Sequence, residues 1–341
     1  MQTLPLPVLN RFAAFISAAM VVFTPASFAG GDATVSSNAR DMHGWLTRIH
    51  KAANERNFQG TFIVSSGGSV SSARIAHYCE GKDQFERIES LDGERRQVLR
   101  HNEKVHVLWP ENRVALVQRR DVPMSFPALL QAGDHRLTDY YEVIPQGSDR
   151  VAGHEADVLM VKPKDEHRYG YRLWAERSTG LLLRSDVIGA KGAVLETSAF
   201  SEVTLGVKPQ PEAVLASMRK LDGYRILKPV LGATTLESEG WLLRDAAPGF
   251  RLVSCVKRAL DPNEREGASE EVLQTIFSDG LTHVSVFIEP YRSQRHAKPM
   301  ATALGATQTL MERHGDWWIT VVGDVPPATL RLFARNLERK N

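Results

Sequence analysis

Histidines and carboxylates are the residues of this chain whose types could support catalysis or metal binding. The stretch His154-Glu155 continues with Ala-Asp, and Asp165-Glu166 is followed by His167. Neither stretch has a second histidine one helical turn away, as a zinc-binding HExxH motif requires. The sequence also lacks a GxSxG nucleophile motif, a P-loop and a GxGxxG motif. We therefore predict a protein that is not an enzyme, with no metal site and no cofactor.

A glycine pair in Ser65–Ser72, SSGGSVSS, could suggest a loop that cradles a phosphate group. A phosphate-binding loop would continue with Gly-Lys-Ser/Thr and would lead into a helix. Neither feature follows here. The stretch is therefore interpreted as a hairpin loop between the predicted strands Thr61–Val64 and Arg74–Tyr78.

Composition indicates a globular protein without a nucleic-acid partner. The chain has 341 residues, 43% of them hydrophobic and 24% charged, and a formal net charge of only +2. Nucleic-acid binders usually carry a strong basic excess or a basic stripe. The pairs Arg95-Arg96 and Arg119-Arg120 lie beside Glu94 and Asp121, so they are interpreted as solvated faces. The length favours two domains over one.

The first 29 residues are predicted to be a signal peptide. Arg11 gives the positive n-region, the apolar run Phe12–Phe23 gives the h-region, and Ser27 and Ala29 are small residues at the cleavage positions. A membrane anchor is the alternative, but the run is about 12 residues long and a span needs about 20. We therefore expect an exported protein, with cleavage near Ala29.

Cys79 and Cys255 are the two cysteines of the chain, and they fall in different predicted domains. An exported compartment permits a disulfide between them. Two buried thiols that behave as small hydrophobic side chains are the favoured alternative. Their pairing is left open, because connectivity cannot be read from sequence alone.

The stretch Trp45–Val64 combines an amphipathic helix with a strand. Met42, Leu46, Ile49 and Ala53 recur at helical spacing, and the predicted helix spans Asp41 to Arg56. From Phe58 to Val64 the period changes to two, which is typical of a strand. The helix must therefore cover an apolar surface, which the following strands could supply.

Short strands then follow one another to about residue 205, which predicts one large curved antiparallel sheet. A short helix is predicted at Pro123–Leu130, where the strand rhythm breaks. The prolines of Leu205–Ala213 predict a linker at 207–222, within which a helix at Pro211–Met218 is expected. Residues 223–341 are predicted to form a smaller α+β domain whose last helix begins at Pro326-Pro327, while Met300–Gln308 has no clear pattern.

Several stretches together resemble the RseB/MucB family. In the first half they are Trp45–Val64, Ala73–Tyr78, Glu86–Arg100 and Tyr169–Val203. In the second half they are Gly240–Phe250, Phe277–Pro290 and Trp317–Ala334. The resemblance covers nearly the whole mature chain in order along the sequence, which makes it specific although each short motif alone is weak.

The resemblance implies a periplasmic negative regulator of the sigma-E envelope-stress response. Such a protein binds the periplasmic part of a membrane anti-sigma factor of the RseA/MucA type and shields it from regulated proteolysis. Acyl chains, lipopolysaccharide or lipoprotein are candidate signals that release it, and a homo-oligomer is left open. The resemblance also implies that residues 38–206 form a lipid-sensing domain similar to LolA and LolB, a half-barrel covered by helices.

An acyl-binding cavity is expected between the helices and the sheet of that domain. The candidates for its wall are Leu46, Ile49, Phe62, Val107 and Trp109. An ordinary packed core would give the same alternation of apolar residues. A periplasmic lipid or lipoprotein carrier of the LolA/LolB type is the alternative function, and it would require the first domain alone.

Overall fold

The computed structural model describes residues 37–119, 137–259, 271–296 and 298–340, with side chains of the first helix from Gly44 onward. Its contacts divide the described chain into two compact units between Val230 and Leu231. The predicted signal peptide and the predicted helix at Pro123–Leu130 lie outside the described residues. The helices of the described chain are α1 (Ser37–Glu55), α2 (Leu137–Tyr140), α3 (Pro211–Arg219) and α4 (Pro327–Asn336).

The larger unit contains a sheet of twelve strands. In chain order these strands are β1 (Phe58–Ser66), β2 (Ser69–Glu80), β3 (Asp83–Ser90), β4 (Gln97–His101), β5 (Lys104–Trp109), β6 (Val114–Arg119), β7 (Tyr141–Val151), β8 (His154–Pro163), β9 (Gly170–Glu176), β10 (Leu182–Ile188), β11 (Val194–Leu205) and β12 (Arg225–Leu227). Their order across the sheet is β12-β6-β5-β4-β3-β2-β1-β11-β10-β9-β8-β7. Every neighbouring pair is antiparallel except β12 and β6.

The larger sheet curls, as the sequence predicted. Strands β11 and β7 are four strand positions apart, which would be about 19 Å in a flat sheet. They nevertheless contact each other, and the side chain of His154 on β8 reaches the carbonyl oxygen of Val203 on β11 at 3.1 Å. One apolar cluster accordingly joins β1, β2 and β11 to β8 and β9 through Phe58, Phe200 and Trp174.

The first hairpin is tighter than the sequence predicted. Strands β1 and β2 continue to Ser66 and from Ser69, so the loop predicted at Ser65–Ser72 shrinks to Gly67-Gly68. Both glycines have positive φ angles, 58° and 81°, which a two-residue hairpin turn of this kind requires. The serines on either side therefore pair as strand residues.

Two helices cover opposite faces of the larger sheet. Helix α1 contacts β2, β7 and β10, and its Ala52 is buried in the cluster of Phe58 and Phe200. Helix α3 packs Val214 and Met218 on the other face, against Tyr78, Phe85, Leu99, Leu108 and Ala115. The segment 207–222, expected to be a linker, thus contributes a helix to the larger unit because Val214 and Met218 bury their side chains there.

The smaller unit is built on a sheet of seven strands with the order β13-β15-β16-β17-β20-β19-β18. These are β13 (Leu231–Ala233), β15 (Arg251–Ala259), β16 (Glu271–Ser278), β17 (His283–Pro290), β18 (Met300–Leu304), β19 (Thr307–His314) and β20 (Trp317–Gly323). A separate pair joins β14 (Trp241–Leu243) to β21 (Leu337–Arg339). Helix α4 packs Leu330, Phe333 and Ala334 on the core of this unit, as its apolar stripe predicts.

The main features of the predicted fold are confirmed: a large curved antiparallel sheet covered by helices, with a smaller α+β domain after it. One difference lies at Met300–Gln308, which had no clear pattern and in fact supplies β18 and the start of β19. Small and polar side chains hide the strand period there. Both cysteines are free thiols; Cys255 is buried, whereas Cys79 is half-buried.

Candidate functional site

The candidate site lies on the face of β1–β6 that α1 covers at one end, which we call the inner face. The unbroken register from β1 to β6 defines it, since residues that pair directly share one face of a sheet. Its residues are Phe62, Ile75, His77, Ile88, Glu86, Val98, Arg100, Val107, Trp109 and Leu116.

The five predicted wall residues lie on three different elements, α1, β1 and β5. Leu46 and Ile49 are buried on α1, with exposed fractions of 7% and 2%. Phe62 lies on β1 and is half-buried, with its ring edge-to-face against Phe200 at 6.4 Å. These positions support a covered apolar surface, but a packed core has the same burial, so the cavity stays a prediction.

Val107 and Trp109 form a second apolar patch on the inner face. Val107 is buried among Val98 and Val105, and half-buried Trp109 packs at the margin of that cluster. Strand β5 is three positions from β2, which α1 contacts. Ile88 packs against both this patch and the cluster around Phe58, so it connects the two apolar parts of the face.

A buried charged cluster separates the apolar residues from the end of α1. His77, Glu86 and Arg100 lie side by side on β2, β3 and β4, and each is no more than 2% exposed. The Oε2 atom of Glu86 is 3.4 Å from His77 Nδ1 and 3.5 Å from Arg100 Nη2. His77 stacks on Phe58 with 5.3 Å between ring centroids. One carboxylate thus faces two basic groups inside the protein.

The charges of this cluster stabilise one another. Burial lowers the pKa of His77, but hydrogen bonds to Cys79 and Glu86 and the negative charge of Glu86 outweigh it and raise the pKa to about 9. Burial raises the pKa of Glu86, yet the charges of Arg100 and His77 keep it below its ordinary value. At neutral pH the cluster therefore holds two positive groups and one negative group. Among the described residues, the buried atoms without a hydrogen-bond partner include Glu86 Oε1 and Arg100 Nε.

The cluster also caps the C-terminus of α1. The last carbonyl oxygens of a helix have no partner within the helix. The carbonyl oxygen of Asn54 accepts hydrogen bonds from the Cys79 thiol at 2.9 Å and from Gln84 Nε2 at 3.0 Å. Cys79 Sγ is 3.5 Å from His77 Nε2, and Gln84 Oε1 accepts from Arg100 Nη1 at 3.0 Å. The position of α1 is therefore coupled to the buried charges.

A second contact holds the middle of α1. Arg48 donates to the carbonyl oxygens of Glu176 and Arg177 in the turn between β9 and β10. That turn is rigid because the Glu176 carboxylate accepts four hydrogen bonds from Ser178 and Thr179, which outweigh burial and lower its pKa to about 2. A Cβ atom at Gly180 would lie 2.6 Å from Arg48 Cγ, so only glycine fits there.

A cavity of about 390 Å³ lies between α1 and this turn. Its lining residues include Arg48, Lys51, Arg56, Ser178 and Thr179. None of the five predicted wall residues lines it, so this cavity is not the one that the sequence predicted.

Sequence reasoning missed the charged cluster, although a signal for it was present. His77, Glu86 and Arg100 each lie two residues from Ile75, Ile88 and Val98, and strand alternation puts residues two apart on the same face. A charged residue in an apolar register position is the sign of a buried polar site. Separations of nine and fourteen residues hid the fact that the three meet.

No group of three or more histidine, cysteine or acidic side chains in the described ranges is arranged to hold a metal ion. No helix in the same ranges has the length and apolarity to cross a membrane.

Comparison with known sequences gives matches over both units. The family described as MucB/RseB N-terminal domain matches residues 41–218, and the family described as MucB/RseB C-terminal domain matches residues 235–338. The chain is 30% identical over 315 residues to the sigma factor AlgU regulatory protein MucB of Pseudomonas aeruginosa, covering 89% of this chain and 93% of that protein. It is 24% identical to the sigma-E factor regulatory protein RseB of Escherichia coli K12, covering 86% and 89% respectively.

Comparison with solved structures gives the same relatives. The crystal structure of MucB in complex with MucA(peri) superposes with a TM-score of 0.64 and 28% sequence identity. The alignment covers 87% of this chain and 98% of that chain. The likeness therefore includes both units and is not confined to the larger sheet.

Proposed function

The chain belongs to the MucB/RseB family, and we propose that it regulates a sigma factor by binding the periplasmic segment of a MucA-like anti-sigma factor. The observation that carries the proposal is the match over both units to MucB, which has been solved in complex with MucA(peri). While bound, the protein shields that segment from regulated proteolysis and so represses the sigma-E type stress response. The site of action is the periplasm, reached by means of the predicted signal peptide.

The extent of the family match favours a regulator over a lipid carrier. A carrier requires only a lipid site, which the larger unit alone would supply. The matched region continues through residues 235–338, which form most of the smaller unit. The smaller unit follows the larger one in the same order as the two domains of the family. This fits a protein whose partner contacts more than the sheet of the larger unit.

The inner face is the proposed receptor for an acyl chain of a lipid or lipoprotein. Its support is the shared face of Phe62, Val107 and Trp109, with Ile88 between the two apolar patches. Each CH₂ group that leaves water there contributes about 0.8 kcal/mol. Such a ligand releases the anti-sigma segment only if it binds the free protein more tightly than the complex. The difference in affinity between the free protein and the complex would arise at the C-terminus of α1, because the charged cluster fixes the helix there.

Binding of the anti-sigma segment is tested first. Isothermal titration calorimetry of residues 30–341 with the periplasmic segment of the cognate anti-sigma factor should give saturable binding at low and moderate salt. The bound segment should be cleaved more slowly by its processing protease. No heat of binding at either salt concentration overturns the proposed function.

A truncated chain distinguishes the regulator from the carrier. A variant that ends at Val230 keeps all twelve strands of the larger sheet. Hydrogen exchange first establishes that it is folded. A regulator should lose control of the anti-sigma segment in this variant, whereas a carrier would keep both acyl binding and function.

The acyl site is tested by fluorescence quenching. Acyl chains brominated near the middle quench a tryptophan that they touch, so adding them to the mature protein should reduce emission. Trp109→Phe should abolish most of the quenching, while the matched control Trp174→Phe should keep it, because Trp174 is buried and bonded to Asp149. If the two variants were quenched equally, the inner face would not be the acyl site.

A further inference from the structure

Strand β18 is an open edge of the smaller sheet. It pairs with β19 on one side and forms the outermost strand on the other. All five of its residues, Met300–Leu304, are exposed, with Met300 and Leu304 at 48% and 46%. None of them is charged. A bare strand edge presents unpaired amide and carbonyl groups that can pair with another extended chain.

The register shows which groups of β18 are open. Leu304 and Thr307 flank a two-residue turn, so they form a hydrogen-bonded pair. Hydrogen-bonded and non-hydrogen-bonded pairs alternate along an antiparallel ladder, so Thr302 and Met300 also hydrogen-bond to their partners on β19. The amide and carbonyl groups of Ala301 and Ala303 therefore point away from β19. Their methyl side chains leave the approach to these groups unobstructed.

The other outermost strands of the two large sheets, as far as the structure describes them, are protected or short. Strand β7 contains Pro145, a bulge after it, and the charged residues Glu142, Asp149 and Arg150. Strands β12 and β13 have three residues each. Natural edge strands avoid unwanted pairing by such devices. Among these edges β18 combines a length of five residues with no charge, no proline and no bulge.

A cationic aromatic pocket adjoins the start of β18. Its volume is about 410 Å³, and its lining residues are Tyr291, His296, Lys298, Pro299, Arg313 and Trp318. The Arg313 guanidinium lies over the Tyr291 ring at 3.9 Å, and the rings of His296 and Trp318 stack at 4.9 Å. Lys298 and Arg313 are exposed cations, and none of the described residues that line the pocket is acidic. The pocket therefore suits an apolar side chain with a carboxylate nearby.

The edge and the pocket form one surface. Lys298 and Pro299 directly precede β18, and Arg313 lies two residues beyond Met311, the partner of Met300. Arg313 pairs with Trp318 across β19 and β20, so both lie on the face that carries Met300, Thr302 and Leu304. An extended peptide beside β18 that continues past Met300 would reach the pocket.

We propose that β18 and the cationic aromatic pocket together bind an extended acidic segment of the protein partner by strand addition. The backbone of the segment pairs with Ala301 and Ala303, and an apolar side chain beside an acidic residue occupies the pocket. The positive charges of Lys298 and Arg313 favour this occupant over a second copy of the chain, which would bring the same charges. The proposal rests on the proposed function, because it takes the anti-sigma segment as the partner.

Strand addition is tested with a proline at the open edge. Ala303→Pro removes an outward amide without removing a bond to β19, so the fold should persist while the affinity for the anti-sigma segment falls roughly tenfold or more. Ala303→Ser is the matched control, because it keeps the amide, and it should bind like the wild type. Hydrogen exchange of the wild-type complex should slow at Ala301 and Ala303.

The pocket is tested by charge reversal. Arg313→Glu should reduce the affinity roughly tenfold and make binding less dependent on salt. Arg331→Glu is the control, since Arg331 is exposed on α4 in the same unit and the change in net charge is identical.

The outcomes separate this proposal from the proposed function. If the wild-type protein does not bind the segment, the proposed function itself fails. If the wild type binds and Ala303→Pro and Arg313→Glu bind equally well, the docking surface is wrong. If these variants change the molecular mass measured by light scattering instead of partner affinity, β18 is an interface between copies of the chain and the proposal is overturned.

Discussion

Strands β7 and β18 are both edge strands, but β7 is protected against pairing with a further strand and β18 is not. Strand β7 has eleven residues, yet a proline, a bulge and three charged residues interrupt its edge. Strand β18 has five residues, all exposed and uncharged. A second contrast concerns two groups of charges. The larger unit buries the ionic cluster of His77, Glu86 and Arg100, whereas the pocket beside β18 exposes its cations to solvent.

The contrast indicates a division of tasks between the units. Buried charges in the larger unit fix the end of α1 over a sheet whose long edge rejects further strands. Exposed groups of the smaller unit remain free to pair with an extended chain. We therefore propose that the larger unit encloses a ligand and that the smaller unit recognises a peptide. The following predictions test this comparison.

The largest effect is expected from Glu86→Ala. The substitution leaves His77 and Arg100 buried without their common carboxylate, which should lower the free energy of unfolding of the larger unit by about 3–5 kcal/mol. Urea unfolding followed by hydrogen exchange measures the two units separately, and the smaller unit should be unaffected. The control Glu142→Ala, exposed on β7, should stay within about 0.5 kcal/mol of the wild type.

A smaller loss is expected from Met218→Ala on α3. Met218 is buried against the face of the larger sheet opposite α1, so its truncation should cost about 2 kcal/mol. The same exchange experiment should place the loss in the larger unit. If Met218→Ala lowered the stability of neither unit, residues 207–222 would be a linker and not a part of the larger unit. Ser217→Ala, on the exposed side of the same helix, is the control.

The stability of the larger unit should also depend on pH through His77. Its pKa rises from 6.5 to about 9 on folding, so protonation favours the folded state. This contribution is complete below about pH 6.5 and is lost as the pH rises through about 9. Thermal unfolding between pH 6 and 10 should show the decline, and His77→Gln should flatten it. An unchanged slope in that variant would contradict the assignment.

The smallest effect on stability is expected at the open edge itself. Ala301→Glu adds a charge to an exposed edge strand and should change the free energy of unfolding by no more than about 0.5 kcal/mol. It should nevertheless weaken binding of the anti-sigma segment, since charged side chains on an edge oppose strand addition and a carboxylate repels an acidic segment. Ile144→Glu on β7 should leave that affinity unchanged. If the two variants bound the segment with equal affinity, β18 and β7 would not differ as binding edges.

Local patterns predicted most of the strands and the covering helix. The stripe of Leu46, Ile49 and Ala53 indicated that α1 covers an apolar surface, and these residues are buried. The predicted wall residues Val107 and Trp109 lie on one face of β5, because residues two apart in a strand share a face. The pattern was weakest at Met300–Leu304, where alanine and threonine give no contrast between faces. The strand there exists because it pairs with β19 and not because of its own composition.

The sequence by itself determined the large antiparallel sheet and a helix that covers it, predicted at Asp41–Arg56 and found at Ser37–Glu55, because both depend on periods of apolar residues along a short stretch. Its length indicated the two units. The tertiary structure alone decided that His77, Glu86 and Arg100 meet beneath the end of α1, and that β18 is an edge. Both facts depend on which strands become neighbours. Pairing between distant segments sets a side chain's burial and partners, and no local pattern contains that information.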